Sequence, residues 1–339
     1  MKVRRLGKSN LKVSALCLGT MMFGDQTGTD DARNIMAAAR AEGVNFIDTA
    51  DVYTKGASET MLGQLLRGQR HDWVLATKLG NAMSAKPNHG GYSRSWMLRE
   101  VDASLGRLAT DHVDILYLHR DYLEQDLEEA VRTLGDLMGS GKIRAFGLSN
   151  FHGWRISEVV HLCQRFNVPA PVVCQPYYNL LNRQPEVEIL PSCAHHGLGL
   201  VPYSPIARGV LTGKYLPGQA APEGTRAARG DRRILQTEFN ARSLEVAAVL
   251  KQHCDERGVK LAHFATAWVL ANPNITAVIA GPRTQAQMED YFPALDLCIT
   301  AQDEDLVDSL VPHGHASAHG YNDPNYPFHG RPLAPDRTS

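Results

Sequence analysis

Short apolar runs alternate with longer amphipathic segments along most of this chain, and this order constrains the fold more than any other feature of the sequence. Eight runs have the character of β-strands, at residues 15–18, 45–48, 73–77, 113–119, 144–148, 172–174, 198–203 and 277–280. Helical spacing follows at residues 31–42, 58–67, 93–108, 127–138, 154–166, 185–196, 239–271 and 284–292, where 239–271 is expected to hold two helices. Strands that alternate with helices pair in parallel, and nearly continuous apolar runs indicate burial on both faces. The pattern therefore predicts an α/β fold of the (β/α)8 TIM-barrel class.

The segments outside this alternation complete the predicted architecture. Residues 2–14 have the pattern of a β-hairpin with a turn at 7–10. A doubly wound sheet is the alternative fold, but it needs a glycine-rich turn after its first strand, and the glycines of residues 19–24 have the wrong spacing. Residues 216–236 form a long loop rich in Pro, Gly and Arg, and residues 311–339 form an irregular tail. We therefore expect one domain over residues 1–339, with long loops at the C-terminal mouth of the barrel.

Composition excludes several classes of partner. The chain of 339 residues has a net charge of −1, which argues against a nucleic-acid surface or an anionic membrane as partner. No apolar stretch at the N-terminus has the character of a signal peptide, and no run reaches the ~20 apolar residues that span a bilayer. The six cysteines form no C-x-x-C pair, which favours reduced thiols, with disulfides or a thiol nucleophile as the alternatives. We expect a cytoplasmic monomer or soluble homo-oligomer.

Polar side chains stand where three of the apolar runs end. Asp48, Lys78 and His119 come at or just after the ends of the second, third and fourth runs, and Tyr53 lies in the loop after the second. Because the C-terminal ends of parallel strands meet at one mouth of a barrel, these four side chains are expected to gather where barrel enzymes carry out chemistry. Each residue alone has a simpler structural explanation as a helix cap, a surface residue or a core residue. Their shared position favours a common function.

The four groups form a set suited to reducing a carbonyl. Tyr53 can protonate the oxygen on which negative charge builds up, and the charge of Lys78 is expected to lower the pKa of that phenol. Asp48 can pair with the buried ammonium of Lys78, and His119 can orient the carbonyl by a hydrogen bond. These roles require no metal.

The sequence also carries a family resemblance. Residues 46–53, Phe-Ile-Asp-Thr-Ala-Asp-Val-Tyr, closely resemble the signature of the aldo-keto reductases. Further matches to that family occur in order at residues 18–21, 76–78, 114–119, 147–150, 203–205, 208–215 and 281–284. The resemblance implies a (β/α)8 barrel that reduces aldehydes or ketones with NADPH. It places the family's catalytic Asp, Tyr, Lys and His on Asp48, Tyr53, Lys78 and His119.

The same resemblance implies a set of cofactor-binding residues. Ser149, Asn150 and Gln175 should hold the nicotinamide carboxamide, and Tyr203 should stack on the nicotinamide ring. The pyrophosphate should lie against residues 204–214, with Ser204, Pro205, Arg208, Gly209, Leu211 and Lys214 as the candidate contacts. The adenosine end should meet Gly281, Arg283, Gln287 and Asp290.

Preference for NADPH over NADH depends on a few of these residues. The guanidinium of Arg283 suits the 2′-phosphate by bidentate bonding. Thr284 and Gln287 have capping-box spacing, which predicts the start of a helix beside that group. The family commonly ends this segment with Glu-Asn, whereas this chain has Glu289-Asp290. Asp290 cannot donate the hydrogen bond that an amide would give to adenine, so the predicted preference depends mainly on Arg283.

The substrate side is the less constrained part of the expected site. Met22 and Phe23, with Tyr53 and His119, are expected to contact substrate, and Trp96 and Tyr178 are further candidates for the wall. An apolar pocket of this kind suits small aldehydes. The loop at residues 81–92 and the tail from residue 312 are expected to frame its opening.

Two other functions compete with a reductase. Some proteins of this type resemble the β subunits of potassium channels, which hold NADPH but mainly serve a partner. A metal-dependent barrel hydrolase would need several ligands at strand ends, where this chain offers only His119 and Asp48. The tail contains His313, His315, His319 and His329, but no Cys or carboxylate accompanies them at ligand spacing, so no metal site is expected.

Overall fold

The computed structural model of the protein describes residues 1–328. An antiparallel hairpin of β1 (Val3–Arg5) and β2 (Lys12–Ser14) comes first. Eight parallel strands follow, β3 (Leu16–Gly19), β4 (Phe46–Asp48), β5 (Val74–Leu79), β6 (Val113–Leu118), β7 (Ile143–Ser149), β8 (Val173–Gln175), β9 (Gly199–Leu200) and β10 (Val278–Ala280). They pair in sequence order, with β10 beside β3. The barrel closes between β9 and β10 through hydrogen bonds from Thr276 N to Leu200 O (2.8 Å) and from Ile279 N to Pro202 O (3.0 Å). The predicted (β/α)8 barrel with an N-terminal hairpin is confirmed.

The helices lie between and after these strands. They are α1 (Thr29–Ala41), α2 (Ala57–Leu65), α3 (Arg94–Leu108), α4 (Leu127–Gly139), α5 (Gly153–Phe166), α6 (Ile189–His196), α7 (Arg232–Gln236), α8 (Ala241–Glu256), α9 (Leu261–Ala271), α10 (Gln285–Glu289) and α11 (Ala301–Leu310). Two helices occupy residues 239–271, as expected. The helix predicted at 284–292 ends at Glu289, and α11 has no counterpart in the prediction. A capping box of Thr300 and Asp303 begins α11.

The alternation of side chains along each strand divides the core into two layers. Leu18, Ile47 and Leu116 pack between the strands and the surrounding helices. Phe46, Ile115 and their neighbours fill the barrel interior together with two hairpin residues, Leu6 and Val13. The hairpin therefore covers the N-terminal end of the barrel and leaves the opposite mouth open for a site.

Long segments surround that mouth. The loop predicted at 216–236 includes the short helix α7. The tail after α11 runs past the end of β8, where Ser317 N donates to Leu181 O at 2.8 Å and Arg183 N to His315 O at 2.8 Å. Residues 312–328 form no helix or named strand, and His329 lies outside the described residues. Across residues 1–328, none of the helices has the length and apolar character needed to cross a membrane.

Candidate active site

The four side chains predicted to act together do meet at the open mouth. Lys78 Nζ contacts Asp48 Oδ1, donates to the Thr49 carbonyl at 2.8 Å and lies 3.2 Å from the Tyr53 hydroxyl. The rings of Tyr53 and His119 pack edge to face with their centroids 5.9 Å apart. The side chain of Lys78 is fully buried and that of Asp48 is 3% exposed. A buried ion pair therefore lies directly behind a phenol and an imidazole.

Strand ends and one strained turn create this arrangement. Asp48 is the last residue of β4, Lys78 lies one residue before the end of β5, and His119 follows β6. Beyond Tyr53, residues Thr54 (φ 48°) and Lys55 (φ 53°) adopt the left-handed conformation, which costs energy for residues with a Cβ atom. Tyr53 begins this turn, and its hydroxyl lies 3.2 Å from Lys78 Nζ at the mouth.

Hydrogen bonds connect the four residues to the next strands of the barrel. Gln175 Nε2 donates to Asp48 Oδ2 at 3.0 Å, so both oxygens of this carboxylate are paired. Asn150 Nδ2 donates to the carbonyl of His119 at 3.0 Å and to Ser149 Oγ at 3.0 Å. Tyr203 donates from its hydroxyl to Asn150 Oδ1 at 2.8 Å. The residues predicted to hold the nicotinamide therefore form one network with the four central side chains.

Burial controls the protonation of Tyr53. It raises the pKa of the phenol, and Lys78 lowers it by a smaller amount, so the pKa of Tyr53 stays above the ordinary value of 10. The expectation of a lowered pKa was wrong for the net shift, although Lys78 acts in the expected direction. Burial also disfavours the charged form of Lys78, but Asp48 and Tyr53 together outweigh burial and raise the pKa of Lys78. At neutral pH the site therefore holds a protonated phenol beside an ammonium.

His119 is held in its neutral form. Burial lowers its pKa well below the ordinary 6.5, and the charge of Lys78 lowers it further. Its Nδ1 atom is buried without a hydrogen-bond partner among residues 1–328. A neutral imidazole has a single N–H donor. Because Nδ1 is buried, Nε2 is the nitrogen suited to bond a ligand in the cleft.

A cleft of about 550 Å³ runs outward from these residues. This volume falls within the range typical of ligand pockets, roughly 300–1,000 Å³. The cleft is bordered by Met22, Tyr53, His119, Ser149, Asn150, Gln175, Tyr203, Ser204, Pro205, Arg208, Gly209, Lys214, Gly281, Arg283, Gln287 and Asp290, all singled out from the sequence. One continuous surface therefore joins the predicted substrate, nicotinamide, pyrophosphate and adenosine positions.

Some predicted contacts do not border this cleft. Phe23 and Leu211 are fully buried, and their side chains pack in the core. Trp96 is also buried, where its ring stacks at 5.2 Å on His89. Tyr178 donates its hydroxyl to Glu186 at 2.8 Å. These four side chains are therefore not among those that line the cleft.

Cations cluster at the outer end of the cleft. Lys214, Arg226 and Arg283 border it together, and neither Lys214 nor Arg283 forms an ion pair within residues 1–328. Burial lowers the pKa of Lys214, and the nearby charges of Arg283 and Arg226 lower it further. Like charges held this close favour an anion between them. Arg226 was not singled out from the sequence, although the Arg-rich composition of residues 216–236 was a signal.

The acidic residue that departs from the family pattern has local partners. Asp290 accepts from Lys260 at 2.5 Å and from His263 at 3.1 Å. Although burial alone would raise it, these bonds hold the pKa of Asp290 below the ordinary 3.8. Beside it, Thr284 caps α10 by accepting from Gln287 N at 3.3 Å, and Gln287 Oε1 accepts from Arg283 N at 2.9 Å. The predicted helix start is confirmed, with the reciprocal bond made to Arg283.

Sequence reasoning also missed residues at the substrate end of the cleft. Val52 and Arg233 border it there. Asn81 reaches it from the loop at residues 81–92, which was expected to frame the opening, and Asn325 and Tyr326 reach it from the tail. The tail was expected to frame the opening, but no pattern identified which of its residues would face inward.

Comparison with known proteins agrees with this architecture. The family described as "Aldo/keto reductase family" matches residues 15–312. The chain is 36% identical over 302 residues to a probable voltage-gated potassium channel subunit beta of Arabidopsis thaliana, covering 88% of this chain and 92% of that protein. It is 36% identical to an uncharacterized oxidoreductase of Bacillus subtilis, covering 92% and 96% of the two chains. It is 31% identical to the L-glyceraldehyde 3-phosphate reductase of Escherichia coli strain K12, covering 93% of each. The chain belongs to the aldo/keto reductase family.

Proposed function

We propose that this protein reduces aldehydes or ketones to alcohols with NADPH, and that Tyr53 is the general acid. The observation that carries the proposal is the Tyr53 hydroxyl 3.2 Å from Lys78 Nζ at the inner end of a long cleft. Membership of a family with oxidoreductase relatives supports the reaction class.

The protonation states suit acid catalysis. A phenol whose pKa lies above 10 carries its proton at neutral pH and can give it to the carbonyl oxygen as that oxygen gains electrons. The phenolate left behind would form 3.2 Å from a cation already fixed by Asp48, which stabilises it without reorganisation. A neutral His119 can donate one hydrogen bond to the same oxygen and so orient the carbonyl.

The residues along the cleft fit a nicotinamide dinucleotide. When bound, NADPH supplies the hydride. Ser149, Asn150 and Gln175 offer amide and hydroxyl groups for the carboxamide, and Tyr203 offers a ring for the nicotinamide to stack on. Residues 204–214 and their Lys214 suit the pyrophosphate. We propose that Arg283, which has no carboxylate partner among the described residues, binds the 2′-phosphate and sets a preference for NADPH.

The setting we propose is the cytoplasm, with a small carbonyl compound as the partner. Near-neutral net charge and cysteines that are mostly buried support it. No group of three or more His, Cys, Asp or Glu residues within 1–328 could hold a metal ion, and the proposed steps need none.

Substitution of Tyr53 tests the proposed acid. Tyr53→Phe should leave the dissociation constant of NADPH nearly unchanged and lower turnover of 4-nitrobenzaldehyde by about 10²-fold or more, the scale of acid catalysis. Tyr117→Phe is the matched control, because Tyr117 is buried below Lys78 and does not border the cleft. Turnover retained in Tyr53→Phe would remove Tyr53 from this role.

A binding role is the second candidate, because several relatives carry the name of potassium channel β subunits. In that case NADPH would bind tightly while generic aldehydes are not reduced. Steady-state oxidation of NADPH with an aldehyde panel separates the two functions. If an aldehyde of the panel raises the rate of NADPH oxidation well above the rate without substrate, the protein is a reductase. If NADPH binds saturably but no aldehyde raises that rate, the binding role is supported.

A further inference from the structure

The described part of the tail ends in a compact turn at residues 322–328, the tail loop. Phe328 N donates to Asn322 Oδ1 at 2.7 Å, and Asn322 Nδ2 donates back to the Phe328 carbonyl at 3.2 Å. Inside this closure, Asn325 N donates to Asp323 Oδ1 at 2.8 Å and Tyr326 N to the Asp323 carbonyl at 3.1 Å. The tail loop is therefore internally hydrogen-bonded.

The tail loop is also fixed to the barrel from two sides. Arg233 of α7 donates two bonds to the carboxylate of Asp323, at 2.9 and 2.7 Å, and Asp323 is buried. On the other side the guanidinium of Arg120, the residue after His119, lies 5.6 Å from the centre of the Tyr326 ring. A bidentate ion pair and a cation–π contact together hold Tyr326 in place.

This anchoring puts Tyr326 at the substrate end of the cleft. Tyr326 and Asn325 border the same cleft as Tyr53 and His119. Because Arg120 directly follows His119, its contact with the Tyr326 ring places that ring at the end of the cleft where Tyr53 and His119 lie. No residue within 1–328 forms a hydrogen bond with that hydroxyl, and it is not among the buried atoms that lack partners. This hydroxyl is therefore accessible and free to bond a ligand, on a side chain that borders the cleft.

We propose that Tyr326 is a specificity-determining residue that hydrogen-bonds a second oxygen of the substrate, on a carbon beyond the carbonyl. The inference rests on the proposed reductase function. The expected pocket for small apolar aldehydes had no such group. A site with an unused hydroxyl gains a bond from a hydroxylated substrate and leaves that hydroxyl unpaired with an alkyl substrate. The amides of Asn81 and Asn325, which also border this end, add polar character. The protein should therefore prefer hydroxyaldehydes to alkyl aldehydes of equal length.

Two aldehydes of equal length test this preference. Glyceraldehyde and propanal share a three-carbon chain and differ in hydroxyl groups. Tyr326→Phe should lower kcat/KM for glyceraldehyde by about two- to tenfold, mainly through KM, because one hydrogen bond to substrate is lost. The value for propanal should stay within about twofold. Tyr321→Phe is the matched control, since this tail phenol is buried away from the cleft without a partner among the described residues. Tyr321→Phe should leave kcat/KM unchanged for both substrates.

A binding measurement separates recognition from turnover. Glyceramide and propanamide carry the same difference in hydroxyl groups and are not reduced. Calorimetry on the complex with NADP⁺ should show that Tyr326→Phe weakens the binding of glyceramide and leaves the binding of propanamide unchanged. If Tyr326→Phe changes kcat/KM or affinity equally for both members of each pair, or for neither, the proposed role of Tyr326 is wrong. In that case, turnover of propanal by the wild type still supports the reductase proposal. Wild-type protein that binds NADPH but reduces neither aldehyde would overturn the proposed function, and this inference with it.

Discussion

The inner end of the cleft, around Tyr53, pairs its charges, whereas the outer end, around Arg283, concentrates cations. At the inner end Lys78 meets Asp48, whose second oxygen accepts from Gln175 at 3.0 Å. At the outer end the charges of Arg283 and Arg226 lower the pKa of Lys214 beyond the effect of burial. The first arrangement is organised before any ligand arrives, as proton transfer requires. The second is relieved by an anion and so suits binding.

The largest expected effect comes from breaking the inner pair. Lys78→Met removes the cation that stabilises the phenolate, and kcat for aldehyde reduction should fall by about 10²- to 10³-fold. It also leaves Asp48 buried without its ionic partner, which should cost about 3–5 kcal/mol in the free energy of unfolding. Steady-state kinetics and urea unfolding measure the two effects. Lys142→Met, which breaks an exposed pair with Asp102, is the control and should change neither by much.

The outer end should show a smaller effect that is confined to binding. Arg283→Ala should weaken NADPH by about 10- to 100-fold, the scale of hydrogen bonds between charged groups, and should change NADH affinity much less. Higher salt should weaken NADPH binding in the wild type more than in the variant. Fluorescence titration measures both. Arg229→Ala is the matched control, because Arg229 lies nearby but does not border the cleft. If NADPH affinity survives Arg283→Ala, the outer cluster does not select the cofactor.

Substitution of Asp290 should have the smallest effect on NADPH binding. Asp290→Asn restores the amide common in the family and should strengthen NADPH binding by about two- to fivefold, the value of one hydrogen bond. It also removes the exposed pair with Lys260, which should cost no more than about 1 kcal/mol of stability. Lys260→Met loses the same pair without adding an amide, so it should share the change in stability but not the gain in affinity. Equal affinities for the wild type and Asp290→Asn would show that this position does not contact adenine.

The barrel and the inner end of its cleft were predictable because both follow from local order. Apolar runs alternate with helices, and Asp48, Lys78 and His119 stand at strand ends. The helix α11 was missed, although its capping-box residues Thr300 and Asp303 are visible in the sequence. Apolar spacing gives little signal for this helix, because Leu306, Val307 and Leu310 are its only large apolar residues.

Tertiary contacts explain the remaining misses. Tyr326 faces the cleft because Arg233 pairs with Asp323, 90 positions away along the chain. Met22 borders the cleft while its neighbour Phe23 is fully buried, and the turn that separates them is fixed by a bond from Phe23 N to the Thr20 carbonyl at 2.9 Å. The net shift of the Tyr53 pKa depends on burial, which a sequence pattern does not measure.

The protonation state of Tyr53 tests the central claim most directly. It can be followed in the cofactor-free protein by NMR of ¹³C-labelled tyrosine across a pH titration, with the Tyr53 signal assigned from Tyr53→Phe. Burial raises the pKa of this phenol more than Lys78 lowers it, so the signal should stay that of a protonated phenol at neutral pH and change only above pH 10. In Lys78→Met the change should move to still higher pH, because the stabilising cation is gone. The role of Tyr53 as the acid would be contradicted if Tyr53 is already ionised at neutral pH, or if its pKa is the same in Lys78→Met as in the wild type.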